Sequence, residues 1–116
     1  NKDISAIAGK ASEGMYVTML KKYDQDPANA NIVEAFKAKK QDYSGPFVWT
    51  TYAAIQSLAA GINGAGEEPA DIADYLRANK VDTVMGPLEW SASGDLKNFK
   101  FGVYQWHADG TSSVLQ

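Results

Sequence analysis

The chain has 116 residues, about one small domain with a modest core. Apolar residues make up 45% and charged residues 22%, the proportions of a globular rather than a disordered chain. The net charge is −3, and the short basic clusters Lys21-Lys22 and Lys37, Lys39, Lys40 lie among acidic residues, which excludes nucleic acid as a partner because phosphate binding needs concentrated positive surface.

The absence of cysteine removes thiolate catalysis, cysteine metal sites and disulfides from these residues. No apolar run reaches bilayer-spanning length, and neither a secretory leader nor an initiator Met precedes Asn1. The expectation is a chain that starts after processing or was cut from something longer.

Along the chain, Met15-Tyr-Val-Thr-Met-Leu20 follows Gly14 and is rich in β-branched and apolar residues, which predicts a short buried strand. Residues 21–28 are polar with a Pro and predict a loop. Asn29 or Asn31 can cap a helix running to about Lys40, with Ile32, Val33 and Phe36 as its apolar stripe. Lys37, Lys39 and Lys40 complement the dipole in its last turn. Pro46 opens the strongest helix, in which Val48, Tyr52, Ile55, Ala59 and Ile62 recur at the helical period. Trp49, Ala53 and Ala60 widen its apolar side, so it is expected to be covered on more than one side. Asn63-Gly-Ala-Gly66 ends it with residues that tolerate left-handed backbone.

A third helix is predicted from Pro69 to Asn79, with Glu67, Glu68 and Asp71 at its positive end and Arg77 and Lys80 at its negative end. Its residues Ile72, Tyr75 and Leu76 face inward. Beyond it, Thr83-Val-Met85 is strand-like, Gly86-Pro87 reads as a break, and Leu88-Glu-Trp90 and Phe101 to Trp106 read as strands around a loop at residues 91–100. Asp109-Gly110 signals a tight turn before a last strand at Thr111 to Val114. About three helices and several short strands make an α/β pattern. One early strand followed by three helices completes no sheet, so Met15 to Leu20 is expected to lack its partners, a sign of a truncated chain.

The chemistry is sparse. His107 is the single histidine, and with no cysteine and no nucleophile pattern beside it no triad can be assembled from the sequence. Asp71 and Asp74 lie three apart on one helix face, compatible with paired acid–base work, while dipole compensation explains them without any function. Gly61-Ile-Asn-Gly64-Ala-Gly66 follows a helix, where a dinucleotide fingerprint must follow a strand. Ser91-Ala-Ser-Gly-Asp95 lacks the oxygen-ligand spacing of a calcium loop. No metal and no cofactor is called for. Aromatic residues are the remaining signal. Phe47 stands at a loop-to-helix junction, where a ring can project from a rigid scaffold and wall an apolar ligand; plain core packing is the commoner role of such a ring.

Several of these segments carry a resemblance. Gly45-Pro-Phe-Val-Trp-Thr-Thr-Tyr-Ala-Ala-Ile-Gln-Ser-Leu58 resembles the late helix of periplasmic leucine/isoleucine/valine-binding proteins. Tyr23-Asp-Gln-Asp-Pro-Ala28, Met85-Gly-Pro-Leu-Glu-Trp90, Gly94-Asp-Leu-Lys97 and Phe101-Gly-Val-Tyr-Gln-Trp-His-Ala-Asp-Gly110 resemble the same family, in the same order. The resemblance implies a type I periplasmic-binding-protein fold with two Rossmann-like α/β lobes, of which residues 1–116 are the C-terminal portion, with pieces of both lobes. It implies a periplasmic receptor of an ABC importer that closes by hinge motion around a branched-chain amino acid and docks on an inner-membrane permease. It implies no catalysis and no cofactor.

Carried over residue by residue, Phe47 alone matches a ligand-pocket position, as a wall for the amino acid's side chain. The groups that clamp the carboxylate and the ammonium are expected upstream of Asn1, so the chain itself should bind leucine weakly or not at all. Two other readings stand beside the receptor: a ligand-sensing domain on the same fold, and a fragment that associates with itself through an unpaired strand edge and uncovered helices. A small unrelated enzyme would need converging titratable residues, and the sequence offers none.

Overall fold

The computed structural model describes residues 3–97 and 99–115. Nine regular elements follow in order: α1 (Asp3–Ala8), β1 (Tyr16–Met19), α2 (Ala30–Ala38), α3 (Pro46–Ala65), α4 (Pro69–Ala78), β2 (Val81–Thr83), β3 (Gly86–Leu88), β4 (Gly102–Trp106) and β5 (Ser112–Val114). They form two compact units. One is built from the two chain ends, up to Lys21 and from Lys100 on; the other is the continuous stretch Lys22–Phe99.

In the terminal unit, β1, β4 and β5 form an antiparallel sheet in the order β1-β4-β5. Tyr16 pairs with Gln105 and Met19 with Gly102; Tyr104 pairs with Val114 and Trp106 with Ser112. The early strand therefore has a partner inside the chain, and the expectation that it lacks one is corrected. That partner lies about 80 residues downstream, a separation that period-2 patterning cannot reveal. Alternation along β4 buries Gly102, Tyr104 and Trp106 on one face. Gly102 is required there, because a Cβ would stand 2.6 Å from the Tyr104 ring two residues along the same face.

The termini of this unit are tied through polar contacts. The Trp106 indole N–H donates to Ser5 Oγ on α1 at 2.7 Å, and Ser5 Oγ donates to the His107 carbonyl at 3.2 Å. Glu13 spans two partners: Oε1 lies 2.9 Å from His107 Nδ1, and Oε2 accepts from the Ala108 N–H at 2.8 Å. The Ala108 N–H, then His107, holds the Glu13 carboxyl below its ordinary value of 4.5. The expected turn is present: Gly110 has φ 84° and Asp109 Oδ1 accepts from the Thr111 N–H at 2.8 Å.

In the Lys22–Phe99 unit, Tyr23, Val33, Trp49, Ala53 and Val84 form the buried core, with Ile32, Tyr43, Val48, Met85 and Leu88 packed against it. The Phe36 ring lies 6.1 Å from Trp49, 6.2 Å from Tyr43 and 6.4 Å from Tyr52, all at tilted angles that suit aromatic quadrupoles. Asn29 holds the N-cap position of α2, but its side chain makes no cap, contrary to expectation. Its amide is buried and donates to the Tyr23 carbonyl at 2.9 Å and the Val84 carbonyl at 2.8 Å. From α3, Gln56 Oε1 accepts from the Val84 N–H at 2.8 Å. The hairpin turn thereby has both backbone polar groups of a buried residue paired.

Gly86-Pro87 does not break the strand, as the sequence suggested. The turn is Val84-Met85, and Gly86 (φ 87°) and Pro87 belong to β3, opposite Thr83 and Asp82. A Pro is tolerated there because β3 has a ladder on one side alone. Trp90 is confined to an isolated bridge with Leu96.

α3 departs most from expectation. Its buried residues are Trp49, Ala53, Ser57 and Gly61. Of the expected stripe, Val48 is half-buried against the core, while Tyr52, Ile55, Ala59 and Ile62 lie away from the buried residues, with Tyr52 38%, Ile55 62% and Ile62 39% exposed. The helix is covered on one side among the described residues, not on more than one. Its covered side meets α4 closely: a Cβ on Gly61 would stand 2.7 Å from Ile72 Cγ2.

Three outcomes follow from this packing. Asn29→Ala leaves the Tyr23 and Val84 carbonyls buried without their shared donor and should lower unfolding stability by about 1–3 kcal/mol in urea titrations. Gly61→Val should cost about 1–3 kcal/mol by forcing α4 away, read the same way. Because the Glu13 carboxyl is depressed in the folded chain, it contributes stability that is present above 4.5 and lost as pH falls through its lower folded value. Glu13→Gln keeps an acceptor for Ala108 while removing the titration, so the urea midpoint of the variant should fall less steeply than that of the parent as pH drops below 4.5.

Candidate functional site

Pro46 is pre-organised for the first position of a helix, and Phe47 follows it as the second residue of α3. The ring is 74% exposed, so it is not a core residue of this chain. It lines an open groove of about 670 Å³ along the uncovered side of α3, together with Val48, Thr51, Tyr52, Ile55, Gln56 and Ala59. All seven lie on one helix, within four turns, because the 3.6-residue period returns them to one side.

The groove is an apolar surface with little to orient a ligand. None of the seven residues carries a charge. The Thr51 and Tyr52 hydroxyls and the Gln56 amide are its polar side-chain groups, and the Gln56 carbonyl oxygen is already engaged by the Val84 N–H. Such a wall suits an aliphatic side chain. It cannot by itself hold a carboxylate and an ammonium, whose burial needs paired donors and acceptors.

The other residues singled out in the sequence do not converge on it. Asp74 is paired with Arg77 at 3.0 Å on the exposed side of α4, and Asp71 lies in the first turn of that helix, as dipole compensation requires. Ser91, Ser93 and Asp95 close on one another, with Ser93 Oγ donating to Asp95 Oδ2 at 2.6 Å and the Asp95 N–H donating to Ser91 Oγ at 3.1 Å. Gly66, at φ 87°, terminates α3 with its N–H on the Ile62 carbonyl, the expected stop.

One arrangement was not legible in the sequence. His107 Nε2 lies 3.0 Å from Ser113 Oγ while Nδ1 lies 2.9 Å from Glu13, a serine–histidine–carboxylate chain. The Glu13 contact spans 94 residues and has no local signal. Ser113 is exposed on β5, and the nearby Ala108 N–H that could face an oxyanion is already donated to Glu13. The chain of contacts fastens the β4–β5 hairpin to the segment before β1, and it meets the connectivity of a triad without its enclosure. Among the described residues no group of three or more metal-ligating side chains comes together, and no helix is long and apolar enough to cross a membrane.

Comparison with known proteins bears on both fold and family. The sequence profile described as "Periplasmic binding protein" matches residues 1–111. The Leu/Ile/Val-binding protein of Citrobacter freundii is 63% identical over 113 residues, covering 97% of this chain and 30% of that protein. The leucine-specific-binding protein of Salmonella typhimurium is 61% identical over 117 residues, covering all of this chain and 32% of that protein. The crystal structure of a leucine binding protein from Thermotoga maritima superimposes with a TM-score of 0.77 at 20% identity, over 99% of this chain and 33% of its own. The chain thus spans about a third of the length of the relatives it matches, and shares with them an α/β fold of helices and short strands. With the profile matched over nearly its whole length, and with sequence identity above 60% to proteins named for branched-chain amino acids, the chain belongs to the periplasmic binding protein family.

Proposed function

We propose that residues 1–116 are the C-terminal portion of the substrate-binding component of an ABC importer for branched-chain amino acids, acting in the periplasm with no catalysis and no cofactor of its own. The observation that carries this reading is the 61–63% identity, over essentially the whole chain, to proteins named Leu/Ile/Val-binding and leucine-specific-binding.

In this reading Phe47 is a wall of the amino-acid pocket. It supports the role that the ring projects from the rigid start of a 20-residue helix and is not consumed by packing within the chain. Its apolar face would meet the aliphatic side chain of leucine, isoleucine or valine, removing that surface from water. The α-carboxylate and α-ammonium would be held by groups outside this chain, since the groove along α3 is uncharged. Closure around the ligand would bring those groups to the wall that Phe47 supplies, and the closed form would dock on the inner-membrane permease. The division of labour is between orientation, supplied elsewhere, and side-chain fit, supplied here.

Two measurements test the assignment. The isolated 116-residue chain, titrated with leucine by calorimetry, should give no heat consistent with a Kd tighter than about 1 mM, because orientation and charge pairing are missing. A chimera in which this chain replaces the matching third of the Escherichia coli Leu/Ile/Val-binding protein, to which it is 63% identical, should bind leucine, and Phe47→Ala in that chimera should weaken binding about 10–100-fold. Micromolar binding by the isolated chain, or a chimera indifferent to Phe47→Ala, would overturn it.

A further inference from the structure

The last turn of α3 carries a pair of residues whose second member is dictated by packing. Gly64 must lack a side chain, because the Tyr75 ring of α4 fills the place where its Cβ would stand. Asn63 precedes it and is exposed. Among the asparagines of the sequence, Asn63 alone is followed by glycine. The pairing matters chemically. A residue with a Cβ shields its own peptide nitrogen from the side chain before it, and glycine leaves that nitrogen open to close approach.

We propose that Asn63 is a site of spontaneous backbone modification: its side-chain amide cyclises onto the Gly64 nitrogen when the last turn of α3 opens, and the Tyr75 ring limits how often that turn opens. The inference goes beyond the receptor reading and does not rest on it. It needs no free protein surface, since the two reacting groups are neighbours in the chain and only water and its base must reach them. The Gly64 N–H gives its proton to solvent base, and the nitrogen attacks Asn63 Cγ. A C–N bond forms and closes an imide ring; the side chain's own C–N bond breaks, and ammonia leaves. Water then opens the imide at either carbonyl. One route leaves aspartate in an ordinary backbone, the other isoaspartate, in which the chain runs through Cβ. A water is consumed and an ammonia released, and nothing is oxidised or reduced.

The helix holds this reaction back. In helical geometry the Gly64 N–H belongs to the ladder bond to the Ala60 carbonyl, and Cβ of residue 63 tilts toward the helix N-terminus, away from the nitrogen that follows it. The last turn is the easiest part of α3 to open. Gly61 and Gly64 lower its helix propensity, and the final carbonyls have no ladder beyond them. The restraint comes from α4, through Ile72 against Gly61 and Tyr75 against Gly64. Both products weaken it. A carboxylate at position 63 stands at the negative end of the helix dipole, and isoaspartate inserts a backbone methylene beside a contact with no spare room.

The test is incubation of the 116-residue chain at mildly alkaline pH in heavy-oxygen water, followed by peptide mass mapping. Asn63 is expected to convert ahead of every other asparagine, and at least about 10-fold more slowly in the folded chain than in concentrated urea. Tyr75→Ala should speed conversion in the folded chain at least about 5-fold, while Tyr75→Phe, which keeps the ring, should match the parent. Gly66→Ala strains a position at φ 87° without altering the α3–α4 contact and should also speed conversion, which covers the case of a Tyr75→Ala chain that does not fold. Conversion first at another asparagine overturns the proposal. So do equal rates with and without urea, the parent rate in both Tyr75→Ala and Gly66→Ala, or a Tyr75→Phe rate as fast as that of Tyr75→Ala. Leucine binding by the chimera above neither depends on these rates nor predicts them.

Discussion

A buried residue at a chain reversal imposes a strict condition: both of its backbone polar groups must find partners without help from a ladder. Val84 meets that condition, and the Lys22–Phe99 unit is arranged around how it does so. Its carbonyl takes the Asn29 amide from the start of α2, and its N–H goes to Gln56 in the middle of α3. Asn29 simultaneously holds the Tyr23 carbonyl. Two segments distant in sequence are bonded to one residue, Tyr23 is tied to it through Asn29, and the apolar side chains Tyr23, Val33, Trp49 and Ala53 close over the junction. Low dielectric makes such a network strong when complete and costly when broken. The hairpin β2–β3 is therefore held to the helices by polar bonds inside an apolar shell.

From this junction α3 receives its orientation. Gln56 and the Trp49 indole, whose N–H donates to the Tyr43 carbonyl at 3.0 Å, fix which side of the helix faces in. Glycines at 61 and 64 then let α4 lie close against the far half of the helix, near Ile72 and Tyr75. With those contacts set, the side bearing Tyr52, Ile55 and Ile62 must face away, and Phe47 is left at the helix start with its ring free. The candidate pocket wall and the bare apolar face are both consequences of how one side of α3 is consumed.

The sequence predicted the elements better than their pairing. The periods of 3.6 and 2 identified α2, α3, α4, β1, β4 and β5 nearly in place, because periodicity is a local property. It could not say which apolar face of α3 is covered: both faces are apolar, and the choice depends on Gly61 and Gly64, which on their own read as helix-terminating residues. It could not find the β1–β4 pairing or the Glu13–His107 contact, since each joins residues some 80 to 95 positions apart. Asn29 read as a cap because Asn before an apolar run usually is one; here two buried carbonyl acceptors, of Tyr23 and Val84, engage its amide as a donor in place of the local cap role. Phe47 was visible as an aromatic at a junction, and the family resemblance, not periodicity, distinguished it from a packing residue.

The pairing of β1 with β4 also sets an order of events during synthesis. A strand that is complete at Met19 must wait for Gly102 before its first ladder bond can form. At about 5–20 residues per second, the ribosome imposes a delay on the order of several seconds, while the intervening unit, whose contacts are contiguous in sequence, can fold at once. β1 therefore emerges without its β4 partner and lacks it until Gly102 and the residues after it arrive. The β1–β4 pairing is made after the unit between the two strands, from segments that synthesis separates by more than 80 residues, and loss of β4 would leave that folded unit preceded by a β1 without its partner.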